Sequence, residues 1–270
     1  MKTVLITGAS GGIGEALCSY FEKRDFRILA HARREEQAMG LCADTSRVPI
    51  WGDLTVASDI ASIGKQVRAA GALDMLVHNA GILTTDQKLG PNGLGIQAEV
   101  NVVAPAKLTR ELAPHLAKSD DPMVVVVSST AANFARSTDY TVLENPDGSS
   151  LFGHYALSKS AANALVLKMA DAFPDLRVLA TEPGFVKTKM TATNDHMPLP
   201  MRLLATVVSS SPEKAATRCF EHIMDERLQS GSVVQGGKVV NSDKRTWSKE
   251  AAMSALEKLL AKADAALLKK

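Results

Sequence analysis

Thr3-Val4-Leu5-Ile6-Thr7-Gly8-Ala9-Ser10-Gly11-Gly12-Ile13-Gly14 is the stretch whose reading decides the fold. An apolar, β-branched run gives way to a glycine-rich turn and then to an amphipathic pattern over 13–24. Strand, turn and helix in that order aim the first helical N–H groups, and the positive end of the helix dipole, back over the strand end, where a pyrophosphate can be held. Glycine matters there because a Cβ would block close approach. The spacing is T-G-x-x-x-G-x-G, not the commoner G-x-G-x-x-G of dinucleotide sites. Gly8, Ser10, Gly12, Ile13 and Gly14 are the candidate phosphate-side residues.

Outward from this unit the alternation continues. Short apolar runs at 27–32, 47–51, 74–78, 123–128, 176–181 and 232–235 join 3–7 to make seven expected strands, with helical patterns at 57–70, 94–116 and 155–173 between them. Strand and helix in turn imply a parallel sheet covered on both faces. Met123-Val124-Val125-Val126-Val127 is apolar at every position, as a strand buried on both sides should be. The expected fold class is α/β: a doubly wound Rossmann fold with a seven-stranded parallel sheet, spanning 1–270 as one domain.

The 270 residues are 46% apolar, which supplies a large core and excludes disordered and fibrous classes. Lys and Arg total 31 against 29 for Asp and Glu, so the net charge of +2 offers no footprint for nucleic acid or an anionic membrane. No uncharged run approaches the ~20 residues of a membrane span, and no signal-peptide core precedes the first strand. Cys18, Cys42 and Cys219 have no metal-ligand spacing and cannot all pair, which fits a reducing compartment. The expectation is a cytoplasmic protein acting on small molecules, with no metal, no nucleic-acid partner and no membrane span.

Two clusters carry chemistry. Tyr155 and Lys159 are one helical turn apart, so an ammonium can sit beside a phenol and draw its pKa from ~10 toward a useful range. The other tyrosines fail this test, since Tyr20 has Arg24 at that spacing and Tyr140 has Glu144. At the end of the second strand stands Ala32-Arg33-Arg34, where a carboxylate would bind ribose hydroxyls and repel a phosphate. Guanidinium forks match phosphate oxygens, so Arg33 and Arg34 favour NADP(H) over NAD(H).

With these motifs the chain resembles the short-chain dehydrogenase/reductase family over nearly its whole length. His78-Asn79-Ala80-Gly81 is similar to the family's N-N-A-G, with His78 a departure at a position that supports the sheet. Asp53-Leu54 resembles its adenine-binding pair, and Pro183-Gly184-Phe185-Val186-Lys187-Thr188 its nicotinamide-side P-G-x-V-x-T. The resemblance implies cofactor contacts from Asp53, Leu54, Asn79, Ala80, Gly81, Pro183, Gly184, Val186 and Thr188, besides Tyr155 and Lys159. It also implies a catalytic set in which Ser129 binds the substrate oxygen, Tyr155 is the acid/base, Lys159 holds the ribose and Asn101 holds a relay water. The implied activity is hydride transfer between NADP(H) and a carbonyl or alcohol, as in a carbonyl reductase. A redox sensor that binds the cofactor without turnover is the alternative; a nucleotide-sugar epimerase or dehydratase would need a longer C-terminal part.

Three segments depart from the pattern. From Ser129 to Tyr155 is 26 positions, about twice the family's usual interval, making 133–152 an insertion beside the substrate site, with a turn at Asn145-Pro146-Asp147-Gly148. The segment 188–211 reads as a substrate lid, in which Met190, Met197, Met201, Leu203 and Leu204 point to a lipophilic carbonyl compound; His154 and His196 border the same region. Past Gly236-Gly237 the chain continues into a helix over 246–270 with Ala252, Leu256, Leu259, Ala263 and Leu267 at helical spacing. Insertion and tail are similar to those of the retinol dehydrogenase and protochlorophyllide reductase branch. The altered tail implies a monomer or homodimer in place of the family's common tetramer.

Overall fold

A computed structural model describes residues 1–84, 88–145, 150–186 and 210–265. Seven strands, β1 (Thr3–Ile6), β2 (Arg27–Ala32), β3 (Val48–Trp51), β4 (Met75–His78), β5 (Met123–Val127), β6 (Arg177–Thr181) and β7 (Ser232–Gln235), form the expected parallel sheet. An eighth, β8 (Lys238–Val239), corrects the count: it folds back antiparallel on β7 across Gly236 and Gly237, at φ +56° and +75°. Two exposed residues carry no apolar pattern, so periodicity cannot reveal such a strand. The order is β3-β2-β1-β4-β5-β6-β7-β8, so the direction of winding reverses between β1 and β4. A crevice opens at the strand C-termini at such a point.

Successive residues of each strand serve opposite layers. On β5, Val124 and Val126 join a core with α3 (Ala57–Ala70), α5 (Ala104–Leu116), α6 (Leu151–Ala172) and α8 (Glu250–Lys262). Met123, Val125 and Val127 face α1 (Gly12–Glu22) and α7 (Pro212–Ile223), on the side where Cys42 of α2 (Glu35–Cys42) also packs. This two-sided burial is the physical reason for the unbroken valine run. The expected helix over 94–116 is interrupted: a short α4 (Ile96–Ala98) passes into a wide π-turn, Glu99–Val103, in which the Ala104 N–H reaches back to Glu99 O, before α5 begins.

Ser150 caps α6 through Gly153 N–H at 3.1 Å, and Ser211 caps α7, with Pro212 in its first turn. From 156 to 166 every residue of α6 is buried, because α8 covers the helix on the side away from the sheet. Within 133–152, a 3₁₀ turn (Tyr140–Glu144) buries Tyr140 and Leu143 in this same layer, against α6 and α8. Residues 146–148 of the expected turn, Thr188, most of the expected lid with its methionines, Leu203, Leu204 and His196, and Leu267 lie outside the described residues. Among the described residues, no helix is long and apolar enough to cross a membrane, and no cluster has metal-ligand grouping.

Candidate active site

The glycine turn after β1 is built by its neighbours as much as by itself. Gly8 sits at φ +65°, and a Cβ there would lie 2.9 Å from Ala80 Cα; a Cβ on Gly14 would lie 2.2 Å from Gly8 O. Asn79 Nδ2 donates to Thr7 O and Gly8 O at 2.9 and 3.1 Å, stitching the end of β4 to the turn. Thr7 Oγ1 accepts from Asn79 N and Ala80 N at 3.1 and 3.0 Å. Gly11 caps α1 with no side-chain acceptor, so the first helical N–H groups are left for an anion.

His31, which the motifs did not single out, is the other anchor. Its Nδ1 accepts from Gly8 N–H at 3.3 Å, which leaves the proton on Nε2 to be donated to Gly52 O at 3.0 Å. Burial pushes its pKa down to about 4, so the ring is neutral and keeps this tautomer. One ring thereby fixes the glycine turn to the end of β3. No periodic signal marks such a role, because it depends on three chain segments meeting.

These elements border a cleft of about 1020 Å³. Gly8, Ser10, Gly12, Ile13, Gly14, Arg33, Asp53, Leu54, Asn79, Ala80, Gly81, Ser129, Tyr155, Lys159, Pro183, Gly184 and Val186 all line it. His31, Gln37, Thr55 and Phe152 line it too, without having been expected to. Arg34, at the start of α2, is not among the lining residues, and neither is Asn101. An uncapped helix N-terminus, a turn with no room for a Cβ and an arginine beside it together fit a dinucleotide.

At the catalytic end, Ser128 and Ser129 separate cleanly. Both border the cleft, but Ser128 is buried and its Oγ donates to Asn163 Oδ1 at 2.6 Å, whereas Ser129 caps the 3₁₀ turn Thr130–Phe134 through Ala131 N–H at 3.2 Å. The Tyr155 pKa is raised, with burial the largest cause and a hydrogen bond from Ser129 opposing it. This corrects the expectation that Lys159 draws the phenol down. The Lys159 ammonium instead donates to Val127 O at 3.1 Å, and burial pushes its own pKa down to about 8.

Asn101 lies in the π-turn, a feature frequent at functional sites. Its Oδ1 accepts from Ile82 N at 2.9 Å, and its Nδ2 donates to Ile82 O and Ser158 Oγ, both at 3.0 Å. The amide is thus committed to protein partners and positions the wall after Gly81. His78 bonds Thr109 Oγ1 at 2.8 Å, supporting the sheet. His154 turns to Val142 O at 3.3 Å, away from the cleft lining. Phe185, which lines the cleft, accepts at its O from Ser210 N–H at 2.8 Å.

The profile of the short chain dehydrogenase family matches residues 2–198. The chain belongs to that family. An 11-beta-hydroxysteroid dehydrogenase-like protein of Arabidopsis thaliana is 29% identical over 205 residues, 70% of this chain but only 61% of the plant protein. The chain therefore spans about three fifths of the length of that family member. In fold, it is similar to a 3-ketoacyl-(acyl-carrier-protein) reductase from Brucella melitensis complexed with NADH, at 21% identity and TM-score 0.69 over 86% of this chain and 95% of the other. It is similar also to a short-chain dehydrogenase from Sphingobium yanoikuyae in complex with NADPH, at 19% identity and TM-score 0.64, over 83% of this chain and 84% of that one.

Proposed function

We propose that this protein is an NADP(H)-dependent oxidoreductase that interconverts a carbonyl compound and its alcohol, working as a reductase of a lipophilic aldehyde, ketone or quinone. The observation that carries the reading is that Ser129, Tyr155 and Lys159 line the same cleft as the glycine turn and Arg33. Gly8, Ser10, Gly12, Ile13 and Gly14 would hold the pyrophosphate, Arg33 and Arg34 the 2′-phosphate, and Asp53 and Leu54 the adenine. Asn79, Ala80, Gly81, Lys159, Pro183, Gly184, Val186 and Thr188 would surround the nicotinamide riboside. When bound, the cofactor supplies or accepts the hydride.

The chain's own residues handle the proton. With its pKa raised by burial, Tyr155 is a neutral phenol at physiological pH and can give its proton to the substrate oxygen. Ser129 donates a hydrogen bond to that same oxygen as negative charge grows there. Lys159, with a pKa of about 8, remains mostly a cation at neutral pH and can hold the nicotinamide ribose. Asn101 acts through Ile82 and Ser158 as a positioning residue. Apolar lining from Ile82, Leu83, Phe152 and Phe185 supports a lipophilic substrate.

A cytoplasmic monomer or homodimer completes the proposal, since α8 of the same chain covers α6 and three free cysteines suit reducing conditions. Purified protein, given NADPH or NADH and a panel of aldehydes, ketones and quinones, should oxidise NADPH preferentially, followed by its absorbance. Tight cofactor binding with no turnover of any compound would make the chain a redox sensor instead.

A further inference from the structure

Glu99 opens the π-turn at 0% exposure, and the proton transfer described above gives it no part. A buried carboxyl group is kept where donors converge on it. Its Oε1 accepts from Asn92 N–H at 2.8 Å and from Leu94 N–H at 3.3 Å, and its Oε2 accepts from Asn92 Nδ2 at 2.9 Å. The turn over 90–94, closed by Gly90 N–H on Leu94 O at 2.7 Å, wraps this group closely. A Cβ on Gly90 would lie 2.3 Å from Glu99 Cδ.

The bonds continue past this turn and reach the cleft. Asn92 Nδ2 also donates to Thr55 O at 3.0 Å, and Asn92 Oδ1 accepts from the Lys107 ammonium at 2.7 Å. Both hydrogens of that amide are thereby committed, which fixes the way it faces. Thr55 in turn donates from its N–H and its Oγ1 to Asp53 Oδ1, at 2.9 and 2.8 Å. Thr55 and Asp53 both line the cleft. One line of hydrogen bonds therefore runs from Glu99 through Asn92 and Thr55 to the Asp53 carboxyl group.

We propose that Glu99 is a positioning residue for the dinucleotide: by holding Asn92 on Thr55 it fixes the Asp53 carboxyl group that takes the adenine end. The inference rests on the reading of the cleft as a dinucleotide site with Asp53 on the adenine side. Glutamine has the same shape but cannot replace Glu99, because its NH₂ would face an N–H donor at either oxygen position. Turning the Asn92 amide over to meet it would break the bonds to Thr55 and Lys107.

The test uses the full chain and two readouts: calorimetric titration with adenosine 2′,5′-bisphosphate, which carries only the adenine end of NADP(H), and turnover of the best carbonyl substrate. Glu99→Gln should weaken binding of that fragment and of NADPH at least about fivefold, while kcat at saturating NADPH and the carbonyl KM stay within about twofold of the parent. A general loosening of the fold would not spare the catalytic end. Asn92→Ala should reproduce the loss, and Glu99→Gln/Asn92→Ala should bind the fragment no more weakly than Asn92→Ala alone, because both changes break one line of contacts. Should Glu99→Gln fail to fold, Asn92→Ala, at a half-buried position, carries the test by itself. Parental fragment affinity in either single variant, multiplying losses in the double variant, or a fall in kcat as large as the fall in fragment affinity overturns the proposal. If the parent binds neither NADPH nor the fragment, the reading of the cleft fails instead.

Discussion

Lys159 Nζ stands 5.9 Å from the centre of the Tyr155 ring, and its hydrogen bond goes to Val127 O, not to the phenol. The two side chains share a helix face, yet the phenol in the free protein is governed by burial and by Ser129. Tyr155 is therefore neutral and proton-loaded, the state that carbonyl reduction requires. Tyr155→Phe removes only the phenolic hydroxyl, and with it the exchangeable proton. Its kcat should fall about 10²–10⁴-fold, with melting temperature and dinucleotide affinity close to the parent's. Steady-state kinetics alongside thermal melts check this.

Lys159 supplies a second, pH-dependent expectation. Its pKa is pushed down to about 8 by burial, and an anionic ligand nearby favours the ammonium, so binding and protonation are linked. Dinucleotide affinity should be flat below pH 8 and weaken as pH rises above it. Lys159→Met should bind more weakly at pH 7 and lose that alkaline dependence. Fluorescence titration between pH 6 and 10 distinguishes the two; a parent-like slope in the variant would mean that another group titrates.

The parts of this molecule that were legible in the sequence are those encoded locally. The valine run of β5 announces burial on both faces, and Tyr155 with Lys159 needs only helical geometry to be noticed. What was not legible depends on distant segments meeting. His31 joins Gly8 to Gly52, and Tyr140 reaches into the core to bond Ser160 Oγ at 3.1 Å. Asn101 was picked out by resemblance, but the commitment of its amide to Ile82 and Ser158 appears only in three dimensions.

Arg33 lines the cleft and Arg34 does not. The two should therefore differ in effect. Arg33→Asp places a carboxylate where a 2′-phosphate would sit, and the ratio of kcat/KM for NADPH over NADH should fall at least about tenfold, the scale of one charge-assisted hydrogen-bonded pair. Arg34→Asp should change the ratio less. An unchanged ratio in Arg33→Asp would remove the basis for assigning NADP(H).

Stability should decline on acidification because of two histidines. His31 and His78 are buried and their pKa values are pushed down to about 4 and about 3. A histidine held neutral in the fold takes up its proton in the unfolded chain first, so stability is present above pH ~6.5 and is lost as pH falls toward the folded value. For His31 alone the loss by pH 4 is on the order of 3 kcal/mol. Urea midpoints measured from pH 7 to pH 4 should fall steadily. In His78→Gln the acid sensitivity should shrink, whatever the variant's stability at pH 7.

The C-terminal helix tests which forces hold the Tyr140–Glu144 turn. Leu256 is fully buried in the layer that contains α6, Tyr140 and Leu143, whereas Lys262 pairs with Glu144 at 2.5 Å with about half its side chain (47%) in solvent. A cavity left by a buried leucine costs about 2–5 kcal/mol, while an exposed ion pair contributes about 0–1 kcal/mol once screening and side-chain entropy are counted. Leu256→Ala should thus lower the urea midpoint strongly and Lys262→Ala barely. Light scattering on Leu256→Ala should also show more self-association than in the parent, because loosening α8 bares the apolar face of α6. If Lys262→Ala proves the more damaging of the two, the tail is held by charge and the packing argument fails.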